Sequence, residues 1–201
     1  NLEEAMKCYN MSLVIYLKTL GPDHSSVART YNNIGIVYQG MGEYDKALEY
    51  HKKASAIWLK LRSDHPMVAM SYTNIGRAHH EKGEYDQALE YYQKSLDIQL
   101  MHFDRDHPHV ALNYNAIGVL QFQKGDFDNA IEFFQYALAS QRKQLGLDHP
   151  HVAMSYQNIG LAHTFKGEYD KGRELLRNAE AIYIKKLGQD HPSVAASYNN
   201  I

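Results

Sequence analysis

The sequence predicts an all-α fold, a solenoid of helical hairpins, because two short motifs recur at one interval and helical periodicity fills the space between them. The motif Asp-His-Pro recurs in steps of 42 residues, beginning at Asp64, Asp106, Asp148 and Asp190. A second motif, Gly-Glu/Asp-Tyr/Phe-Asp, begins at Gly42, Gly83, Gly125 and Gly167. A fixed period of about 20–50 residues indicates stacked repeats, each unable to bury its apolar face alone.

Each repeat is predicted to be a pair of antiparallel helices. Asp64 is a favourable N-cap, and Pro66 suits the first turn of a helix, where no backbone N–H is needed. We expect the same role for Asp106, Asp148 and Asp190. Gly83 should end the first helix, and Glu84-Tyr85-Asp86 should open the second.

The second helices are expected to end in two ways. Gly21, Gly146 and Gly188 each follow a leucine and are predicted to be left-handed C′ glycines. Arg62 and Asp104 replace that glycine in the other two repeats and predict a different corner.

These signals divide the chain into one array with predicted boundaries. A leading second helix covers 1–20, four hairpins cover 23–61, 64–103, 106–145 and 148–187, and a partial fifth repeat covers 190–201. The chain begins without Met and ends within the motif at Asn199-Asn200-Ile201, so we expect a fragment of a longer array.

Helical spacing assigns one face of each first helix to the core. Tyr72, Ile75, Gly76 and His79 share this face in the second hairpin. The glycine should let the second helix approach closely. Small residues on the second helices should do the same, with an aromatic residue beside each of them, at Ala47, Ala88 and Ala130 and at Tyr44, Tyr85, Phe127 and Tyr169.

Composition and charge argue against several classes of function. Apolar residues make up 44% and charged residues 22% of the chain, as in folded globular proteins. No apolar run approaches the ~18 residues that a membrane span needs. A net charge of −2 disfavours nucleic acid, which requires a basic stripe. One cysteine, Cys8, cannot form an internal disulfide, and we therefore expect a reducing, cytoplasmic location.

The twelve histidines invite a metal hypothesis, but their pattern favours a structural role. Zinc requires three or four converging ligands, whereas His107 and His149 lie one repeat apart, about 10 Å at helix-packing distances. We predict no metal and no cofactor, with the recurring histidine packed at the helix corner. The chain also contains no glycine-rich phosphate loop and no nucleophile elbow, so no enzymatic activity is expected.

The repeated residues resemble the tetratricopeptide pattern of small and aromatic positions, here Tyr72, Ile75-Gly76, Tyr85, Ala88, Tyr92 and Ser95. The 42-residue period and the joint at Leu187–Ala195 are similar to the variant found in kinesin light chains and nephrocystin-3-like proteins. This resemblance implies a right-handed superhelix in which the first helices line a concave groove. In kinesin light chains that groove takes cargo peptides.

The predicted function is to bind a protein or peptide ligand in this groove. Its lining positions differ between repeats, as specific recognition requires, whereas the core positions repeat. The predicted groove residues are Arg29, Asn32, Asn33, Ile36, Met70, Thr73, Asn74, Arg77, His80, Leu112, Asn115, Val119, Phe122, Met154, Gln157, Asn158, Leu161 and Phe165. The cations in the first half favour acidic residues of a ligand, and the apolar residues in the second half favour apolar anchors. The asparagines are expected to bond the peptide backbone.

An alternative function is a structural spacer that self-associates end to end. Solenoids usually need terminal helices with a polar outer face, and neither end of this sequence provides one.

Overall fold

The computed structural model describes residues 1–200 and confirms the all-α fold over that range. It contains ten helices and no strand there. Each complete first helix of a hairpin has 16 residues, and each second helix has 18 or 19. The helices are α1 (Leu2–Leu20), α2 (Ser25–Gly40), α3 (Tyr44–Leu61), α4 (Pro66–Glu81), α5 (Tyr85–His102), α6 (Pro108–Gln123), α7 (Phe127–Leu145), α8 (Pro150–Phe165), α9 (Tyr169–Leu187) and α10 (Pro192–Asn200).

The helices form two compact units, each packed in chain order. The N-terminal unit covers Asn1–His102 and contains α1 to α5. The C-terminal unit begins at Phe103 and contains α6 to α10. Within each unit, every helix packs on the helices before and after it in sequence. Stability in such an arrangement is approximately a sum of hairpin and neighbour terms.

Close approach within each hairpin depends on a glycine of the first helix. A Cβ atom added to Gly35 would lie 2.6 Å from the His51 ring, and one added to Gly118 would lie 2.7 Å from the Phe134 ring. Both distances are well below the optimal carbon–carbon contact of about 3.5–4.0 Å. The second helix therefore packs directly on the glycine backbone, as the sequence predicts.

The predicted N-caps were wrong by one residue, because the histidine of Asp-His-Pro caps the helix and the aspartate does not. His65 Nδ1 accepts the backbone N–H of Met67 at 3.0 Å, and His149 does the same for His151 at 3.2 Å. Pro66 favours this arrangement because a proline disfavours a helical conformation for the residue before it, but it is not required, since His24 caps α2 in the same way before Ser25. His65 accordingly has φ −66° and ψ 137°.

Two aspartates of the motif, Asp106 and Asp148, pair instead with lysines near the end of the following second helix, whereas Asp64 pairs with Arg62 of its own corner. Lys143 Nζ lies 2.5 Å from Asp106 Oδ2, and Lys185 Nζ lies 2.5 Å from Asp148 Oδ2. These exposed ion pairs tie the start of the first helix to the end of the second in the same hairpin.

The prediction for the glycine corners was correct in the sign of φ but wrong in the type of corner. Gly146 has φ 82° and ψ 165°, which is an extended mirror conformation and not the left-handed helical one. Gly21 and Gly188 adopt the same conformation, with φ of 83° and 86° and ψ of 168° and 160°. Arg62 has φ −169° and ψ 118°, which confirms that its corner is built differently.

Candidate peptide-binding surface

The predicted groove residues of the N-terminal unit separate into an exposed set and a buried set. The exposed or partly exposed residues are Arg29, Asn33, Ile36, Met70, Thr73, Arg77 and His80. Asn32 and Asn74, predicted to face the ligand, are only 4% and 8% exposed. This is a correction, because their side chains meet between α2 and α4 and form the floor of the surface.

Five side chains of this unit form a connected group of hydrogen bonds, which we call the polar cluster: Asn32, Gln39, His51, Asn74 and Arg77. Asn74 Nδ2 donates to Asn32 Oδ1 at 2.8 Å. Arg77 donates from one guanidinium nitrogen to Gln39 Oε1 at 3.0 Å and to Asn74 Oδ1 at 3.4 Å. The ring nitrogens of His51 lie 3.1 Å from Asn32 Oδ1 and 3.2 Å from Gln39 Oε1.

His51 is the buried centre of the polar cluster. His51 is 0% exposed and packs over Gly35. It lies on α3, whereas the other four residues of the polar cluster lie on α2 and α4, so three helices contribute to the cluster. Burial and, as the smaller cause, the positive charge of Arg77 together lower the pKa of His51 to about 4. The imidazole is therefore neutral near pH 7.

Arg77 is an exposed cation held by neutral acceptors. Among residues 1–200, no carboxylate lies within ion-pair distance of its guanidinium group. Its hydrogen bonds to Gln39 and Asn74 orient the planar guanidinium group, and the remaining N–H donors are available. Such a group suits a carboxylate or another planar anion.

The C-terminal unit contains an apolar pocket of about 230 Å³ between α6 and α8. Val119, Phe122 and Leu161 line it, together with Gln123, Phe134 and Asn158. Phe165 stands beside it, 64% exposed, with its ring centroid 5.2 Å from that of Phe122 in an edge-to-face contact. Phe127 completes this aromatic group at 5.5 Å from Phe122.

An asparagine pair also connects α6 and α8 in the C-terminal unit. Asn158 Nδ2 donates to Asn115 Oδ1 at 3.2 Å, as Asn74 does to Asn32 in the N-terminal unit. Both members of this second pair remain partly exposed. Leu112 and Met154 are 60% and 38% exposed, and Gln157 is partly exposed, so the predicted residues of this unit all reach the surface.

The two sites occupy equivalent positions in their repeats. Adding the repeat spacings of 41 and 42 residues carries Asn32 to Asn115, Gln39 to Phe122 and His51 to Phe134. Adding two spacings of 42 carries Asn74 to Asn158 and Arg77 to Leu161. One asparagine pair is common to both sites, and the three other polar residues become apolar. The same backbone framework therefore carries a cationic polar site in one unit and an apolar pocket in the other.

Family models of the tetratricopeptide repeat match residues 1–60, 26–101, 109–171 and 152–193. The chain belongs to the tetratricopeptide repeat family. A search of curated proteins finds no match.

Solved structures agree with this tetratricopeptide assignment. The nearly identical TPR-like repeats of a Podosopora anserina kinesin-light-chain-type protein are 26% identical, with a TM-score of 0.77, over 92% of this chain and 88% of that one. BtubC (BKLC) from P. vanneervenii has a TM-score of 0.82 at 20% identity, over 99% of this chain and 81% of that one. MamA has a TM-score of 0.68 at 22% identity, over 92% and 91% of the two chains. The similarity to BtubC and to MamA concerns the fold alone.

Two residues of the tetratricopeptide surface were missed by the sequence prediction. His51 lies on a second helix, where no groove residue was expected, although a polar residue at a position otherwise filled by Tyr92, Phe134 and Leu176 was a usable signal. Phe127 was assigned to the space beside Ala130, but its ring contacts Phe122 and Phe165 next to the pocket.

Two further properties of the tetratricopeptide array concern residues 1–200 as a whole. No helix in that range is both long and apolar enough to cross a membrane. No three histidine, cysteine or acidic side chains there converge in a way that could hold a metal ion.

Proposed function

We propose that this array holds extended segments of a partner protein against two candidate surfaces, one formed by α2 and α4 in the N-terminal unit and one formed by α6 and α8 in the C-terminal unit. Tetratricopeptide arrays act in general as scaffolds for protein–protein interaction and are typically non-enzymatic. The segment proposed for the C-terminal unit carries an apolar anchor, and the segment proposed for the N-terminal unit carries an acidic group.

The apolar pocket is the observation that carries this proposal. Phe122 and Leu161 are only partly buried, and Phe165 is 64% exposed, so a large apolar surface faces solvent around a concave site. Complete burial of one ligand side chain of the size of Leu or Phe is worth about 1.5–3 kcal/mol. A pocket of about 230 Å³ is large enough for one such side chain.

The acidic part of the ligand is assigned to Arg77. Its guanidinium group is exposed, oriented by Gln39 and Asn74, and without a carboxylate partner in residues 1–200. Arg29 on α2 is a second exposed cation in the same unit. Exposed charges of this kind contribute more to the association rate and to specificity than to affinity.

Asn158 is the asparagine best placed to bond the ligand backbone. It lines the pocket, donates one N–H to Asn115 and keeps its carbonyl oxygen and second N–H for a peptide group. Asn74 is less suited, because it is 8% exposed and bonds both Asn32 and Arg77. Asn33 remains a candidate, since it is partly exposed.

The experiment is a selection of 12-residue peptides from a random display library on the intact chain, followed by titration of the enriched peptides. Phe122→Ala should weaken binding by about 2 kcal/mol or more, because a buried anchor dominates affinity. Arg77→Leu, which installs the residue found at the equivalent position 161, should cost less and should reduce the salt dependence of binding. Lys94→Ala is the control, since Lys94 is exposed on α5 and paired with Glu90. Equal affinity of all three variants would refute the proposed surface.

End-to-end self-association remains a second proposal, supported by one observation on α1. Met11, Val14 and Ile15 are 61%, 66% and 58% exposed, and they form an apolar stripe on one side of this helix. The proposed occupant is a second copy of the chain. We also propose a reducing, cytoplasmic location, for which Cys8, exposed and unpaired to another cysteine, is the support.

A further inference from the structure

The hydrogen-bond directions in the polar cluster follow from one residue. Arg77 can only donate, so the atoms that face it, Gln39 Oε1 and Asn74 Oδ1, must be carbonyl oxygens. The amide nitrogen of Asn74 then points to Asn32, which must present its own oxygen. Every amide orientation in the cluster is fixed in this way.

These directions place a carbonyl oxygen opposite each nitrogen of the His51 ring. Nδ1 lies 3.1 Å from Asn32 Oδ1, and Nε2 lies 3.2 Å from Gln39 Oε1. A neutral imidazole has one N–H donor, and only the imidazolium has two. The cluster is therefore one donor short when His51 is neutral, because one ring lone pair faces an oxygen lone pair.

Arg77 opposes the proton that would complete the cluster. Its cation and the burial of the ring keep the pKa of His51 at about 4. The groups of α2 near this ring, Asn32, Gln39 and the backbone of Gly35, are all neutral. The cation of α2, Arg29, is exposed to solvent. On α4 the other titratable side chain of this face is His80, whose ring lies against Tyr85 at 5.9 Å.

We propose that the polar cluster takes up one proton at His51 when Arg77 binds an anion, so that an acidic ligand is held more tightly in mildly acidic than in neutral solution. The anion binds the remaining N–H donors of Arg77 and offsets its charge. Gln39 Oε1 has two lone pairs, so it keeps its hydrogen bond from Arg77 and also accepts from Nε2–H, while Asn32 Oδ1 accepts from Nδ1–H. The proton comes from solvent, and the net charge of a cluster that binds one carboxylate is unchanged.

The sign of the effect follows from linkage. A bound anion offsets the charge of Arg77, the smaller of the two causes that lower the pKa of His51, so that the pKa rises from about 4 while burial still holds it below the ordinary 6.5. Affinity for the anion therefore rises as the pH falls through that window and levels off below it. Each pH unit by which the pKa rises corresponds to about tenfold tighter binding. This inference rests on the proposed anion-binding role of Arg77.

The test uses inorganic sulfate as the probe, because sulfate stays charged throughout the window, with chloride at equal ionic strength as the reference. The protonation midpoint of His51 is followed by NMR of the histidine ring nitrogens, and its signal is identified by its loss in His51→Phe. That variant introduces the residue present at the equivalent position 134, so the packing over Gly35 is retained. Far-UV circular dichroism checks that the fold is intact at each pH.

Sulfate should raise the midpoint of His51 in the unmodified chain. In Arg77→Leu the midpoint should already be higher, because the cation is gone, and sulfate should leave it unchanged. If sulfate shifts the Arg77 side-chain signal and leaves the His51 midpoint in place, proton coupling is overturned and anion binding stands. If sulfate affects neither group, both the coupling and the acidic part of the proposed ligand are overturned, whereas the apolar anchor is judged separately by Phe122→Ala.

Discussion

Replacing Gly118 with valine should destabilise the protein, although glycine is normally a poor residue inside a helix. The Cβ atom alone would lie 2.7 Å from two ring carbons of Phe134. Phe134 is 2% exposed and belongs to the same buried cluster as Ala130, Val152 and Ile159, so its ring has little room to retreat. Overpacking of this kind costs about 1–3 kcal/mol. The gain in helix propensity from glycine to valine is only about a few tenths of a kcal/mol, so it offsets little of this overpacking cost.

The matched control is Gly40→Val, also at a helical glycine. A Cβ atom there would lie 3.4 Å from Leu2, an ordinary van der Waals contact, so this change should be nearly neutral. Thermal unfolding followed by far-UV circular dichroism compares the two variants. A loss of about 1–3 kcal/mol in a chain of this size lowers the midpoint by about 2–12 °C. If Gly118→Val melted at or above Gly40→Val, the close packing of α6 on α7 would be wrong.

Three further predictions concern the joints and the ends of the array. His149→Ala should destabilise α8 by about 1 kcal/mol, because the helix loses its N-cap. Asp148→Asn should have the smaller effect in the same thermal assay, because Asp148 forms only an exposed ion pair. The opposite ranking would mean that the aspartate is the cap. Hydrogen bonds from Lys171, Lys166 and His163 lower the pKa of Glu168 to about 2, so its contribution to stability is complete above pH 4.5 and is lost as the pH falls towards 2. The difference in thermal midpoint between the unmodified chain and Glu168→Gln should shrink over that window, and a constant difference would contradict the assignment. If the chain self-associates through α1, its mass in solution should rise with concentration and Val14→Lys should abolish the rise; a constant mass would exclude this proposal.

The fold could be predicted from the sequence because most structural requirements recur at the same place in each repeat. Proline starts three of the four complete first helices, with Ser25 in its place in α2. A glycine follows the end of each first helix, and a second glycine allows the next helix to approach. The N-cap error arose from treating Asp64 by residue preference alone. The restriction that Pro66 places on His65 was already visible in the sequence and identifies the capping residue.

The candidate site could be predicted only in part, because periodicity describes one helix at a time. Leu112, Val119 and Phe122, predicted to line the groove, are exposed or partly exposed on α6, and their exposure depends mainly on that helix. The burial of Asn32 and Asn74 depends on the distance between α2 and α4, which no pattern within one helix contains. The same limit hid His51, which reaches the site from α3.

The glycine of each first helix has a consequence for recognition as well as for packing. Because it has no side chain, the residue facing it from the second helix extends beneath the first helix to the floor of the candidate surface. That residue is His51, Tyr92, Phe134 or Leu176 in the four hairpins, and each is at most 4% exposed. Different residues at this position are accommodated by the same backbone framework. They determine whether polar or apolar side chains of the first helices find suitable contacts at the candidate surface. His51 supports amides and a cation, whereas Phe134 supports Val119, Phe122 and Leu161. The chemistry of each candidate site is therefore set in part by a buried residue of the second helix, which the ligand need not touch.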